Sequence, residues 1–138
     1  MDFSKYAFEV IDVSVRGTPE MYVNINGITI SKKAIEDMSY PTYVRPLIDT
    51  THKAFALQTC KQTDERAMKF SKARGEQDSG INLSATAVMR TIRTLMRDSW
   101  HDNKRYRIAG IYYPDAKAMV YDLSSAEELP PIRPLKKK

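Results

Sequence analysis

This sequence has one cysteine, Cys60. No disulfide can form within the chain, no second thiol or histidine stands at metal-ligand spacing from Cys60, and a reducing, cytoplasmic setting is expected. Histidine is almost as scarce. His52 and His101 are the only two, and neither sits in a context that marks an activated nucleophile or a metal centre, so no metal and no cofactor is expected. With five glycines there is no P-loop and no Gly-x-Gly-x-x-Gly, and His-Glu-x-x-His is missing too. Uninterrupted apolar runs are a handful of residues long, against the roughly 20 that span a bilayer. No charged-then-apolar leader opens the chain, so neither export nor a membrane partner is expected. The common routes to catalysis are absent, and the expectation is a binding protein, not an enzyme.

Against those gaps stands an ordinary globular composition. The 138 residues are 42% apolar, 9% aromatic and 28% charged, enough to bury a core without staples. The formal charge of +5 is unevenly spread: residues 1–60 carry six Lys/Arg against seven Asp/Glu, 61–107 carry eleven against six, and 108–138 carry five against four. The basic excess therefore lies in the middle of the chain, where a polyanion or an acidic protein surface would find it.

The opening Tyr6-Ala-Phe-Glu-Val-Ile-Asp-Val-Ser-Val15 is rich in β-branched and aromatic residues and ends at Arg16-Gly-Thr-Pro19, which predicts a first strand and a turn. Met21 to Asn26 alternates, Gly27 permits a turn and Ile28-Thr-Ile30 resumes the alternation, which predicts a hairpin. Ser31 suits an N-cap ahead of a short helix over 31–38. Residues 43–48 and 54–57 follow as strands around the turn at 49–53, with Pro46 requiring a sheet edge or a bulge. Cys60, at a strand end, reads as a small apolar group.

Residues 61–80 are polar and charge-dense and read as a linker, partly helical, after which the pattern returns. Ile81-Asn-Leu-Ser84 matches Ile28-Thr-Ile-Ser31 and Ala87-Val88 matches Ala34-Ile35, all 53 residues on; Lys117-Ala-Met-Val120 matches Lys53-Ala-Phe-Ala56, 64 residues on. A helix over 84–97 is expected, with Val88, Ile92, Leu95 and Met96 as its apolar stripe and Arg90, Arg93 and Arg97 on the far side. Asp98 and Asp102 flank His101, but Arg97, Lys104 and Arg105 surround them, which reads as a salt-bridged surface and not as a metal site. The fold class expected is α+β: two copies of a strand-helix-strand-strand motif, in 1–60 and 81–123, forming a barrel-like or swapped-hairpin β core. An extended Pro- and Lys-rich tail fills 124–138.

The run Gly27-Ile-Thr-Ile-Ser-Lys-Lys-Ala-Ile35, a Gly opening an alternating strand that enters a helix, resembles the swapped-hairpin fold of AbrB-like transcription regulators. Two copies in one chain resemble the MraZ arrangement. The resemblance covers about residues 20–60 and, more weakly, 81–123. Family members usually carry a basic residue after the Gly and a Pro at the helix start; Ile28 and Ser31 stand there in this chain, and Ser caps a helix as well as Pro starts one.

What the resemblance implies is a homodimeric DNA-binding regulator. The residues placed to meet phosphate are Lys32, Lys33, Arg66, Lys69, Lys72, Arg74, Arg90, Arg93 and Arg97. The rival expectation is an inhibitor or adaptor from a phage or other mobile element that binds an acidic protein surface.

Overall fold

A period of two governs the first hairpin. In Glu20–Val23 (β1) and Ile28–Ile30 (β2), Met21, Val23, Ile28 and Ile30 are buried and the residues between them half-exposed, as a strand with one buried face requires. Met21 stands opposite Ile30 and Val23 opposite Ile28. The Asn24 N–H donates to the Gly27 carbonyl at 2.8 Å, so β1 ends before Asn24 instead of running to Asn26. The computed structural model describes residues 7, 17–83 and 85–130. Apart from Ala7, the strand expected over 6–15 lies outside the described residues, as do the cap expected at Ser84 and the tail residues 131–138.

One hydroxyl joins β2 to the helix that follows, Lys32–Asp37 (α1). Ser31 Oγ accepts the Ala34 N–H at 3.3 Å as an N-cap and also the Glu20 N–H at 2.9 Å, so the helix start is tied to β1. Ala34 and Ile35 carry the helix into the core. Past it, Tyr43–Asp49 (β3) and Ala54–Thr59 (β4) pair from Val44 opposite Thr59 to Asp49 opposite Ala54. In the turn between them Asp49 Oδ1 accepts the Thr51 and His52 N–H groups at 3.0 and 3.1 Å. These bonds, the His52 backbone bond foremost, hold the Asp49 carboxyl below its ordinary range.

The segment expected as a linker contributes a strand. Met68–Lys69 (β5) pairs with Tyr43 and Val44 of β3, and Phe70 and Ser71 extend the contact by donating N–H bonds to the Thr42 and Pro41 carbonyls at 2.7 and 3.0 Å. No helix occurs in 61–80. Beyond Val44 the outer edge of β3 is unpaired among the described residues, and Pro46 lies there, where a missing N–H removes no ladder bond.

Ile81–Leu83 (β6) leads to Thr86–Leu95 (α2), then to Arg105–Tyr113 (β7) and Ala118–Asp122 (β8). The helix expected over 84–97 thus starts at Thr86, with Ala85 in the N-cap position and no side-chain cap bond. The tail is not extended coil from 124 onward. Leu123–Ser125 forms a 3-10 turn over the buried Leu123, and Glu127–Leu129 (β9) pairs with Arg105–Arg107 of β7. The prolines that bar a ladder begin only at Pro130, and Glu127 is held by the Arg107 guanidinium.

All pairings are antiparallel. The strand order is β5-β3-β4-β8-β7-β1-β2-β6 with β9 also on β7, a curled sheet that makes a half-barrel, with two short α-helices among the described residues. The stretches expected as separate halves share it, since β1 pairs β7, β2 pairs β6 and β4 pairs β8. One apolar cluster runs through them, from Met21 and Ile30 through Ile35, Leu57 and Ile92 to Ile108 and Met119, each side chain contributing about 1.5–3 kcal/mol by burial. Within it the Tyr121 hydroxyl has no hydrogen-bond partner among the described residues, and burial pushes the phenol well above its ordinary range.

The β2–β6 ribbon depends on Gly80. A Cβ there would stand 2.4 Å from the Ile30 carbonyl oxygen, whereas one at Gly27 would lie 4.0 Å from the Leu83 carbonyl oxygen. Gly80→Ala is expected to cost about 2–3 kcal/mol, as overpacking against backbone does, and Gly27→Ala less than about 0.5 kcal/mol. Urea unfolding of the two variants checks this; equal midpoints would show that the ribbon gives way without strain.

Candidate binding surfaces

The two helices leave the β2–β6 ribbon at opposite ends. Antiparallel pairing puts Ile30, which runs into α1, beside Ile81, and puts Leu83, which runs into α2, beside Ile28. The basic residues singled out in the sequence therefore fall into two groups. Lys32 and Lys33 lie on α1, where Lys33 pairs with Asp37 at 2.9 Å. Arg74 joins them by pairing with Glu36 at 3.1 Å and lying 5.0 Å from the centre of the Tyr40 ring. Lys69 and Lys72 are exposed on β5 and just past it, with no ion pair among the described residues. Arg66 is exposed in the preceding turn, 3.9 Å from Glu65. Arg90 is exposed on α2, whereas the helix expected to run to 97 ends at Leu95 and leaves Arg97 exposed in the turn that follows; both are unpaired among the described residues.

Arg93 is a correction to the expected basic face. Its guanidinium donates to three backbone carbonyls: Nη1 to His101 at 3.1 Å, and Nη2 to Asn24 at 3.1 Å and Lys104 at 3.2 Å. It also lies 5.9 and 5.8 Å from the Trp100 and Tyr106 ring centres, which stack 4.3 Å apart. The helix geometry explains the misplacement. Arg93 lies about 100° round α2 from the buried Ile92, on the flank of the apolar stripe, while Arg90 lies roughly 160° away and faces outward, and Arg97 lies past the helix end. Arg93 clamps the β1–β2 turn to the turn after α2.

Two concave features were not anticipated. A groove of about 190 Å³ runs between α2 and the β3–β4 hairpin, with Leu47, Ile48 and Phe55 on one wall and Ala87, Val88 and Thr91 on the other. Leu47 is 39% and Ile48 40% exposed. The only signal for it in the sequence is the apolar pair next to Pro46, on a strand that proline confines to an edge. The second feature is the open side of the half-barrel, where β5 and β6 end the sheet and do not pair with each other among the described residues. Met68, Phe70, Ile81 and Leu83 line a cavity of about 530 Å³ there, with Lys69, Lys72 and Asn82 beside them.

The remaining titratable groups serve the fold. Glu20, Tyr22, Arg107 and Glu127 bond β1 to β7 and β9, and the Tyr22 phenol is pushed up by its hydrogen bond to Glu20 and by burial. The Cys60 thiol is pushed up by burial and by the nearby Asp64 carboxylate. His52 is exposed in its turn, and the N–H of the exposed His101 donates to the Tyr106 hydroxyl. Among the described residues no three His, Cys, Asp or Glu side chains could hold a metal, and no helix is long and apolar enough to cross a membrane.

Arg93→Ala is expected to cost about 2 kcal/mol, because it leaves three carbonyls without their charged donor, and to change Trp100 fluorescence. Arg90→Ala and Arg97→Ala should each stay within about 0.5 kcal/mol. Thermal unfolding followed by tryptophan emission separates these cases. A stable Arg93→Ala protein with native emission would return Arg93 to the outer face.

No protein-family model matches the chain, and no curated protein or solved structure matches it.

Proposed function

We propose that this chain is a non-catalytic protein-binding module, made of two copies of a strand-helix-strand-strand motif, and that it holds an acidic partner in the groove between α2 and the β3–β4 hairpin. The groove carries the reading. Leu47 and Ile48 are partly exposed on a strand edge that is unpaired among the described residues, beside an apolar helix face, and an apolar patch of this kind marks interaction surfaces more often than it marks catalysis. Arg90, one residue from Thr91 on the groove wall, and Arg97 in the turn after α2 are exposed cations. They match an acidic surface around the apolar side chains that would enter.

Register supports the repeat. The β2–β6 ladder centres on Thr29 opposite Asn82, whose side chains share a 2.8 Å hydrogen bond, and these positions are 53 residues apart. The β4–β8 ladder centres on Ala56 opposite Val120, 64 apart. A two-fold through both centres carries β3 onto β7 and β1 onto β5: Met21 and Tyr22 face Ile108 and Arg107 as Met68 and Lys69 face Val44 and Tyr43. Lys53 and Lys117, one in each hairpin turn, both have φ near 53°.

The test uses two exposed groove positions. Leu47→Asp and Ala87→Asp should leave the unfolding midpoint within about 0.5 kcal/mol of the original and weaken capture of the native partner from host extract by at least tenfold. Identical capture by both variants overturns the groove.

A second reading, the AbrB-like DNA-binding regulator, draws on Arg66, Lys69, Lys72, Arg90 and Arg97, which are exposed and short of carboxylate partners. Mobility shift on mixed genomic fragments decides it. Backbone binding should fall steeply between about 50 and 200 mM salt, and Lys69→Glu with Lys72→Glu, or Arg90→Glu with Arg97→Glu, should flatten that dependence. No shift at low salt removes this reading.

A further inference from the structure

The open side of the half-barrel is the place where the two proposed copies differ. In the first, β1 and β2 pair across the four-residue turn 24–27. On the two-fold, Met68 would face Leu83, Lys69 would face Asn82 and Phe70 would face Ile81. Those six residues instead line the cavity of about 530 Å³.

The connection between β5 and β6 holds the two strands apart. Phe70 and Ser71 stay bonded to Thr42 and Pro41, just ahead of β3, and Ser71 is buried, its hydroxyl also on the Pro41 carbonyl. The Lys72 N–H then donates to Gln77 Oε1 at 2.9 Å, curling the chain, and Arg74 anchors the loop on α1 through Glu36 and the Tyr40 ring. A loop tied down at three points cannot bring β5 onto β6. Two strand edges are left facing one cavity, with no pairing on that side among the described residues.

We infer that this seam is an acceptor site for an extended segment of a protein partner in which apolar and acidic residues alternate. Phe70, Ser71 and Lys72 already donate their N–H groups elsewhere, so a strand entering between the edges would find the outward-facing backbone groups of Lys69 on one flank and of Asn82 on the other. The pleat sends alternate side chains to opposite faces. One set would meet Met68, Phe70, Ile81 and Leu83, and the other would meet Lys69 and Asn82; Lys72 borders the cavity where the chain curls past β5, and neither lysine has a carboxylate partner among the described residues. The seam shares no residue with the groove of α2. It rests on the repeat and on the protein-binding reading, and deepens the latter by naming the shape and charge of what binds.

The probe is a capped hexapeptide of alternating valine and glutamate, titrated into the full-length chain, with amide exchange read at 68–72 and 81–83. Saturable protection at both stretches is expected. Binding should weaken at least tenfold in Lys69→Glu with Lys72→Glu, and that variant should instead take the valine–lysine peptide, a reversal that damage to the fold would not produce. Absence of protection by the valine–glutamate peptide overturns the site. So does protection that grows with protein concentration alone, which would make a second copy the occupant.

The chain's own Phe8-Glu9-Val10-Ile11-Asp12-Val13 carries similar chemistry. If the peptide protects the seam only in a full-length Val10→Pro, Val13→Pro variant, the partner strand is wrong and the occupant is internal. Loss of native partner capture in the groove variants alongside failure of the peptide would sink the seam and leave the protein-binding reading standing.

Discussion

Gly80 places its α-carbon hydrogens where any side chain would strike the Ile30 carbonyl, and the ribbon formed there by β2 and β6 fixes most of the rest. Only three residues long on each side, it joins the first and second parts of the chain. It sets the exit directions of both helices and places Ile30 and Leu83 in the shared core. The ribbon does not stabilise itself, since short two-stranded pairings are marginal in water. Ser31 bonded to Glu20 and Ala34 at one end, and Arg93 clamped on Asn24 and the turn after α2 at the other, hold it in register.

Local signals with a single physical cause were legible in the sequence. The Ser31 cap, the turn before Ile28 and the edge position of Pro46 follow from hydrogen-bonding chemistry within a few residues, and all lie where that chemistry puts them. What escaped was set by long-range pairing. Met68-Lys69 and Glu127-Glu-Leu129 carry no alternation long enough to be read, and become strands because β3 and β7 offer them open edges. Arg93 escaped for another reason. A helical wheel separates inside from outside, but a guanidinium on the flank reaches carbonyls from turns 69 and 11 residues away. The groove was invisible because it lies between elements distant in sequence.

The same geometry changes the meaning of the charge distribution. Eleven basic residues between 61 and 107 suggest a single patch, yet Arg74 is engaged on α1, Arg93 is engaged in a clamp, and Arg107 bonds Glu127. The cations still exposed and without close carboxylate partners among the described residues divide between the β5 strand with its flanking turns and the outer face of α2 with the turn after it. Two smaller positive regions, each beside an apolar cavity, suit a partner that presents carboxylates around apolar side chains better than they suit a continuous phosphate track.

On the repeat reading, the first copy is the closed one: a four-residue turn and a six-residue helix leave little unfilled around β1 and β2. The second copy has eleven residues between its first two strands and a ten-residue helix. Both concave surfaces border this longer copy, and each needs the first copy for a wall or an anchor. The hairpin of β3 and β4 walls the groove, while α1 holds back the loop that keeps the seam open. A symmetric pair of motifs would have filled its own edges. Lengthening one connection while its partner stays short leaves β5 and β6 apart among the described residues, and the fold can keep them so because the core beneath draws on both stretches together.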